Sequence, residues 1–193
     1  MKTENKILME KARESLVGKW GLAVGTFAVY AVINIAISSL KGRGTGSIVS
    51  LLVSGPFIMG VSLFSLSISR NKEAKFEQLF EGFKKYGRSL VAYLLVVLFT
   101  ILWTLLFIIP GIIAALSYSQ TFYILVDDET INPKDAIKKS KKMMMGFKWK
   151  YFCLGLRFIG WTLLSILTFG VGFLWLFPYI HISTAKFYDD IKG

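Results

Sequence analysis

Six apolar stretches that hold no aspartate or glutamate constrain this chain more than any other feature. They are Trp20–Leu40, Ile48–Ile68, Leu90–Ile109, Gly111–Val126, Tyr151–Phe169 and Val171–Phe187. Each is about 16 to 21 residues long, close to the ~20 residues that cross ~30 Å of hydrocarbon as a helix. In lipid such a stretch must be helical, because a helix satisfies its own backbone N–H and C=O groups without water. The composition agrees: 54% of residues are hydrophobic and the mean hydropathy is +0.55. That excludes an ordinary soluble domain of this length. The first run follows a charged segment and lacks a small-residue cleavage site, so it reads as a retained span and not a removed signal peptide.

Runs three and four are separated only by Ile109-Pro110-Gly111, and runs five and six by Phe169-Gly170. Neither junction carries a charge. Each is a tight hairpin or the bend of one kinked helix. Leu90–Val126 as one helix would be about 55 Å long, far more than a bilayer, so the hairpin is preferred.

The basic residues test that topology. Twenty of the 23 lysines and arginines fall in residues 1–19, 70–88, 127–150 and the C-terminal tail. The opposite side has only Lys41 and Arg43, and Arg157 lies inside a run. Positive residues stay cytoplasmic. The expectation is therefore an all-α integral membrane bundle of six transmembrane helices in three hairpins, with both termini cytoplasmic. The net charge of +11 follows from this placement and from anionic headgroups, not from nucleic acid, for which no groove-reading motif is present.

Three cytoplasmic segments precede the odd-numbered spans. In the second, Phe76, Leu79, Phe80 and Phe83 recur at helical spacing with charges on other faces, which predicts an amphipathic helix. In the third, Asn132 reads as an N-cap, Pro133 as the first helical residue and Asp135 as a first-turn acid. Its stripe is Ala136, Ile137, Ser140, Met143, Met144 and Phe147, with lysines opposite. The first, Glu4–Val17, is weaker, with Ile7, Leu8, Ala12 and Leu16. Glycines follow at Gly18, Gly87 and Gly146, and Pro56, Pro110 and Pro178 mark the even-numbered spans. Spans four and six are each soon followed by an Asp-Asp pair. These features suggest a single membrane domain built of three degenerate repeats, 4–69, 73–128 and 133–190, with about three interfacial amphipathic helices.

The chemistry on offer is sparse. No carboxylate lies in a span, which argues against a proton-driven carrier and an intramembrane aspartyl protease. One cysteine (Cys153) and one histidine (His181) cannot form a disulfide or a metal site of usual composition within one chain. No Gly-x-Ser-x-Gly context accompanies any serine. The chain is not expected to be an enzyme or to carry a cofactor. Arg157 is about six residues, roughly 9 Å, below the interface, where it could snorkel or hold a lipid phosphate or other anion. His181, one turn after Pro178, is a packed structural histidine or a ligand. Gln120, with Ser117, Ser119 and Thr121, is an interhelical hydrogen-bonding patch or part of a solute path. Met143, Met144 and Phe147, like the phenylalanine stripe, would dip into the headgroup region or form an adaptable face for a partner.

Several segments together resemble a bacterial family of small polytopic membrane proteins known as domain of unknown function 975. They include Ala12-Arg13-Glu14-Ser15-Leu16 with Trp20-Gly21, Ser54-Gly55-Pro56, Phe76 to Phe83, and Ile108-Ile109-Pro110-Gly111-Ile112. Ala115 to Ser119, Ala136 to Ser140 with Met143-Met144, Phe158-Ile159-Gly160-Trp161, and Gly172 to Trp175 through Pro178-Tyr179 continue the series. The order is collinear over nearly the whole chain. The resemblance implies a multi-pass protein of the bacterial plasma membrane and implies no reaction. A more distant similarity, to the membrane domain of some glycerophosphodiester phosphodiesterases, brings no catalytic residue with it. Three roles follow. The first is a non-enzymatic, membrane-organising protein that binds anionic lipids. The second is a transporter, channel or immunity-type component. The third is an accessory subunit that docks on itself or on another membrane protein.

Overall fold

The computed structural model describes residues 3–39 and 45–192, and side chains throughout these except at 45–47. Lys41 and Arg43, which mark the far side in the charge argument, lie outside the described residues. Among the described residues every regular element is helical. The order is α1 (Asn5–Leu16), α2 (Trp20–Ser39), α3 (Thr45–Ser69), a 3-10 turn (Phe76–Phe80), α4 (Glu81–Lys84), α5 (Tyr86–Leu106) and α6 (Ile108–Tyr118). It continues with α7 (Thr121–Asp127), α8 (Pro133–Met143), α9 (Lys148–Arg157), α10 (Ile159–Leu167) and α11 (Phe173–Lys192).

Five helical stretches are long and apolar enough to cross a membrane: Trp20–Ser39, Ile48–Ser69, Tyr86–Leu106, Ile108–Asp127 and Lys148–Leu167. The sixth expected span falls on α11, whose 20 residues would suffice in length. Its last two turns, however, carry Lys186, Asp189, Asp190 and Lys192, which make the C-terminal third of this helix polar.

The helices surround α3, which packs on α1, α2, α4, α5, α7, α11 and the 3-10 turn. From Gly55 to Ser69 nearly every α3 residue is buried, including Ser62, Ser65, Ser67 and Ser69. One core cluster joins Phe57, Val61, Phe64 and Ile68 to Ala12 and Leu16 of α1, Ala23 and Phe27 of α2, and Ile182 of α11. α3 ends by a left-handed Asn71 (φ 54°). The Asn71 N–H donates to the Ile68 carbonyl at 3.0 Å and that of Lys72 to the Ser67 carbonyl at 2.8 Å, closing the last turn.

The phenylalanine segment departs from expectation. Instead of one amphipathic α-helix it forms the 3-10 turn and the four-residue α4. Backbone proximity explains this. A Cβ on Gly60 would collide with the Leu79 carbonyl, and one on Gly82 with the Pro56 carbonyl, so the segment lies with its main chain directly on α3. A full α-helix would hold its axis 8–10 Å away.

Both tight junctions fold back on themselves. A single extended residue, Phe107, separates α5 from α6, and Pro110 sits in the first turn of α6, where its missing N–H leaves no bond unmade. A Cβ on Gly111 would lie 2.8 Å from Thr104 Cα, and one on Gly172 would lie 2.8 Å from Ser165 Cα, so each returning helix makes close contact through a glycine. Leu105, Leu106, Phe107, Ile108 and Ile109 are exposed at the first turn, and Leu167 and Phe169 at the second.

The first and third amphipathic segments form as helices, and their apolar residues face the protein. In α1, Leu8, Ala12 and Leu16 are buried against the bundle, whereas Ile7 is 40% exposed. In α8, Ala136, Ile137 and Ser140 are buried against α5, α6 and α7. Asn132 is the N-cap residue by backbone, but its side chain makes no cap bond. Gly18 and Gly146 both adopt positive φ (75° and 81°) between such a helix and the apolar helix that follows, whereas Gly87 lies inside α5.

Candidate functional site

The residues singled out in the sequence do not converge on one place. Arg157 is exposed at the end of α9, with no ion pair among the described residues. His181 is half-buried, its ring 5.2 Å from that of Phe27, and its main-chain carbonyl accepts the Tyr123 hydroxyl at 3.2 Å. Gln120 is fully buried in the short gap between α6 and α7. Three cavities among the described residues are lined by other residues.

The gap at Gln120 has a structural cause. The Ser140 hydroxyl of α8 accepts the Gln120 N–H at 3.2 Å and donates to the Ser117 carbonyl at 2.8 Å. One hydroxyl thus inserts into the backbone ladder of the apolar run and divides it into α6 and α7. The Gln120 side-chain amide donates to Ser119 Oγ at 2.9 Å, while its Oε1 has no hydrogen-bond partner.

The two candidate partner faces are largely occupied. Leu79 is fully buried on α3, and the Phe57 ring meets Phe80 at 6.0 Å and Phe83 at 5.0 Å. Phe76 stacks edge-on against Phe80 at 5.7 Å. Met144 is fully buried, and Met143 and Phe147 pack against the cluster of Leu154, Phe158 and Phe187. Of that methionine run only Met145 faces outward.

What the fold does assemble is a charged node where α3, α7 and α11 end. Arg70 donates from Nη1 and Nη2 to Asp127 at 2.6 and 2.8 Å, and from Nη2 and Nε to Asp189 at 2.6 and 3.2 Å. Tyr188 donates to Asp127 at 3.0 Å and Lys192 at 2.7 Å. Aspartates at helix C-termini oppose the helix dipole, so the cations offset an otherwise unfavourable placement. Hydrogen bonds from Arg70 to Asp127 and then Asp189 raise the guanidinium pKa further above its ordinary value. Beside the node, Lys150 and the Thr3 N–H donate to Asp190 at 2.7 and 3.1 Å, and Lys186 bonds the last α3 carbonyl, Ser69. Arg88 bonds the carbonyls of Asp128 and Ile131, tying the loop after α7 to α5.

A second feature lies away from this node. A cavity of about 400 Å³ opens between α2 and the α10–α11 pair. Its walls are mainly Trp20, Trp161, Leu164, Trp175 and Leu176, and Arg13 and Tyr179 also line it. Two smaller cavities differ in character. One of about 230 Å³ beside α9 is apolar, and one of about 60 Å³ lies next to Lys85 and Glu129, which pair at 2.6 Å.

Neither feature is visible in the sequence as a motif. Arg70 counts there only as one of many cytoplasmic charges, 57 residues from Asp127 and 119 from Asp189. The tryptophans give the one available signal, since tryptophan favours the membrane interface.

A family described as a protein of unknown function (DUF975) matches residues 1–117 and again residues 105–193, which together take in the whole chain. No curated protein and no solved structure matches it. The matches therefore support the family resemblance seen in the sequence and not the more distant likeness to phosphodiesterase membrane domains.

Proposed function

The chain belongs to that family of unknown function, and on physical grounds we propose that it is a non-enzymatic membrane protein that gathers anionic lipid around its cytoplasmic face. In this reading six helices cross the bilayer as three hairpins, with both termini cytoplasmic. The basic segments then face the negatively charged leaflet. Interfacial helices that wedge into lipid are not needed. The apolar faces of α1 and α8 are turned to the bundle, and what they offer outward is charge.

The observation that carries this reading is α8. Its apolar stripe is buried, while Lys134, Lys138, Lys139, Lys141 and Lys142 are all exposed. Among the described residues only Lys138 of these forms an ion pair, with Asp135 at 3.4 Å. Exposed lysines beside a membrane contribute about 1 kcal/mol each toward anionic lipid.

The test is lipid enrichment. Protein reconstituted with mixed phosphatidylcholine and phosphatidylglycerol is extracted mildly, and the co-purifying lipid is quantified. Phosphatidylglycerol should exceed its share of the starting mixture. Replacing Lys138, Lys139, Lys141 and Lys142 by glutamine should bring it back toward that share. Equal recovery from both proteins would overturn the proposal.

A further inference from the structure

The groove between α2 and α10–α11 has one polar end. Its far end lies by Thr168 and Gly172, next to the exposed turn at Phe169. Its near end carries Arg13, in the last turn of α1, and Tyr179. Tyr179 lies seven positions after Gly172, about 10 Å along the helix axis. The walls between are indole and leucine, with Trp161 and Trp175 about half exposed.

We infer that this groove holds one anionic phospholipid, its phosphate at Arg13 and one acyl chain against Trp161 and Trp175. The inference rests on the reading of the chain as a membrane protein that faces anionic lipid, and it singles out one site within that interaction. Charge complementarity identifies the headgroup. Arg13 is exposed and has no ion pair among the described residues, unlike Arg70. Arg13 and Tyr179 both line the cavity, and the Arg13 charge acts on the phenol, so a guanidinium and a phenol border the same space. A guanidinium fork matches two phosphate oxygens, and a phenolic hydroxyl can donate to a third. Glu10, one turn back, also acts on Tyr179, but Arg13 is the charge that lines the cavity.

The walls identify the rest of the ligand. A free inorganic anion would have no use for walls of tryptophan and leucine. A partner helix, about 10–12 Å across with its side chains, is too wide for a cavity of about 400 Å³ that is only about 10 Å long. The volume is within the range of ligand pockets, roughly 300–1,000 Å³. Trp20, four residues beyond the end of α1 and also lining the groove, is the indole on the Arg13 side, where tryptophan favours the headgroup boundary.

The test uses the tryptophans as reporters. The full chain is reconstituted in phosphatidylcholine containing small, increasing amounts of phosphatidylglycerol with brominated chains, and quenching of tryptophan fluorescence is followed. Half-maximal quenching should need about tenfold less brominated phosphatidylglycerol than brominated phosphatidylcholine. Arg13→Gln should reduce that ratio to near one, and Tyr179→Phe should reduce it partway. Trp20→Phe, Trp161→Phe and Trp175→Phe together should remove the sensitive component. The four-lysine variant should retain it even where general enrichment is lost, which separates failure of this site from failure of the broader proposal. A preference that survives Arg13→Gln, a sensitive component that survives loss of all three lining tryptophans, or reversal of the quenching by inorganic phosphate alone would overturn the inference. Circular dichroism of each variant confirms that Arg13, an exposed residue, is dispensable for folding.

Discussion

The backbone of Leu79 passes over Gly60 so closely that no side chain larger than hydrogen fits between them. Gly82 repeats the relationship on Pro56, and the two contacts hold the 76–84 segment flat on α3. Gly60→Ala and Gly82→Ala should each cost about 3 kcal/mol or more, since neither backbone can yield cheaply. Gly25→Ala, in α2 with open space around it, should be neutral or stabilise by up to about 1 kcal/mol through helix propensity. Thermal unfolding in detergent distinguishes these outcomes. Equal effects at all three positions would mean that the close docking is absent.

The inserted hydroxyl of Ser140 gives a second prediction. Ser140→Ala leaves the buried Gln120 N–H and Ser117 carbonyl without a partner, a loss of about 1–3 kcal/mol. Hydrogen exchange should show faster opening at Gln120 than in the middle of α6. Unchanged protection there would show that α8 does not complete the ladder.

How much of this was legible in advance depends on distance along the chain. The six runs follow from length and composition, and the stripes of α1 and α8 from period, because these are local properties. Which way a stripe faces is not local. Ala136 and Ile137 could have met lipid or protein, and only the placement of α5, α6 and α7 decides it. The phenylalanine period predicts one amphipathic helix, but the helix type is set by Gly60, on another element. The groove escaped notice because four helices contribute to it. The paired aspartates were visible, and their common partner Arg70 was not.

That partnership can be broken in steps. Arg70→Met leaves Asp127 and Asp189 facing each other without their shared cation, and should destabilise the protein by about 3 kcal/mol. Adding Asp127→Asn and Asp189→Asn should recover part of the loss, since the repulsion disappears with the charges. Midpoint temperatures of the single and triple variants test this. A triple variant no more stable than Arg70→Met would show that the carboxylates were not held apart by Arg70.

Asp190 supplies one part of the pH dependence, beside Asp127, which against burial the hydrogen bonds from Arg70, Lys192 and Tyr188 hold below its ordinary value. Burial pushes the Asp190 pKa up, but hydrogen bonds from Lys150 and Thr3 outweigh this and hold it below its ordinary value. A folded pKa below the unfolded one, about 3.9, gives stability that is present above about pH 4. That stability is lost as pH falls through the folded value. Asp190→Asn should remove this acid-sensitive portion and flatten the stability profile below pH 4. An unchanged acid limb would place the sensitivity elsewhere.

Topology is open to chemical labelling. In a Cys153→Ser background, Phe169→Cys places a thiol on the fully exposed turn between α10 and α11. A membrane-impermeant maleimide added to intact cells should label it, while Lys138→Cys should react only after the membrane is opened. A turn thiol that stays unreactive from both sides would mean that this hairpin ends within the hydrocarbon, and six crossings would be too many.

The burial of α3 also has a bearing on synthesis. Ser62, Ser65, Ser67 and Ser69 are buried in the finished protein, and α3 packs on the 3-10 turn, α4, α5, α7 and α11, all of which leave the ribosome after it. A nascent chain that has just inserted α3 therefore presents a row of hydroxyls whose permanent neighbours do not yet exist. The order of translation obliges this helix to wait, half-coated, for the last helix of the chain, so a truncation before α11 would deprive the second span of its cover as well as removing the last.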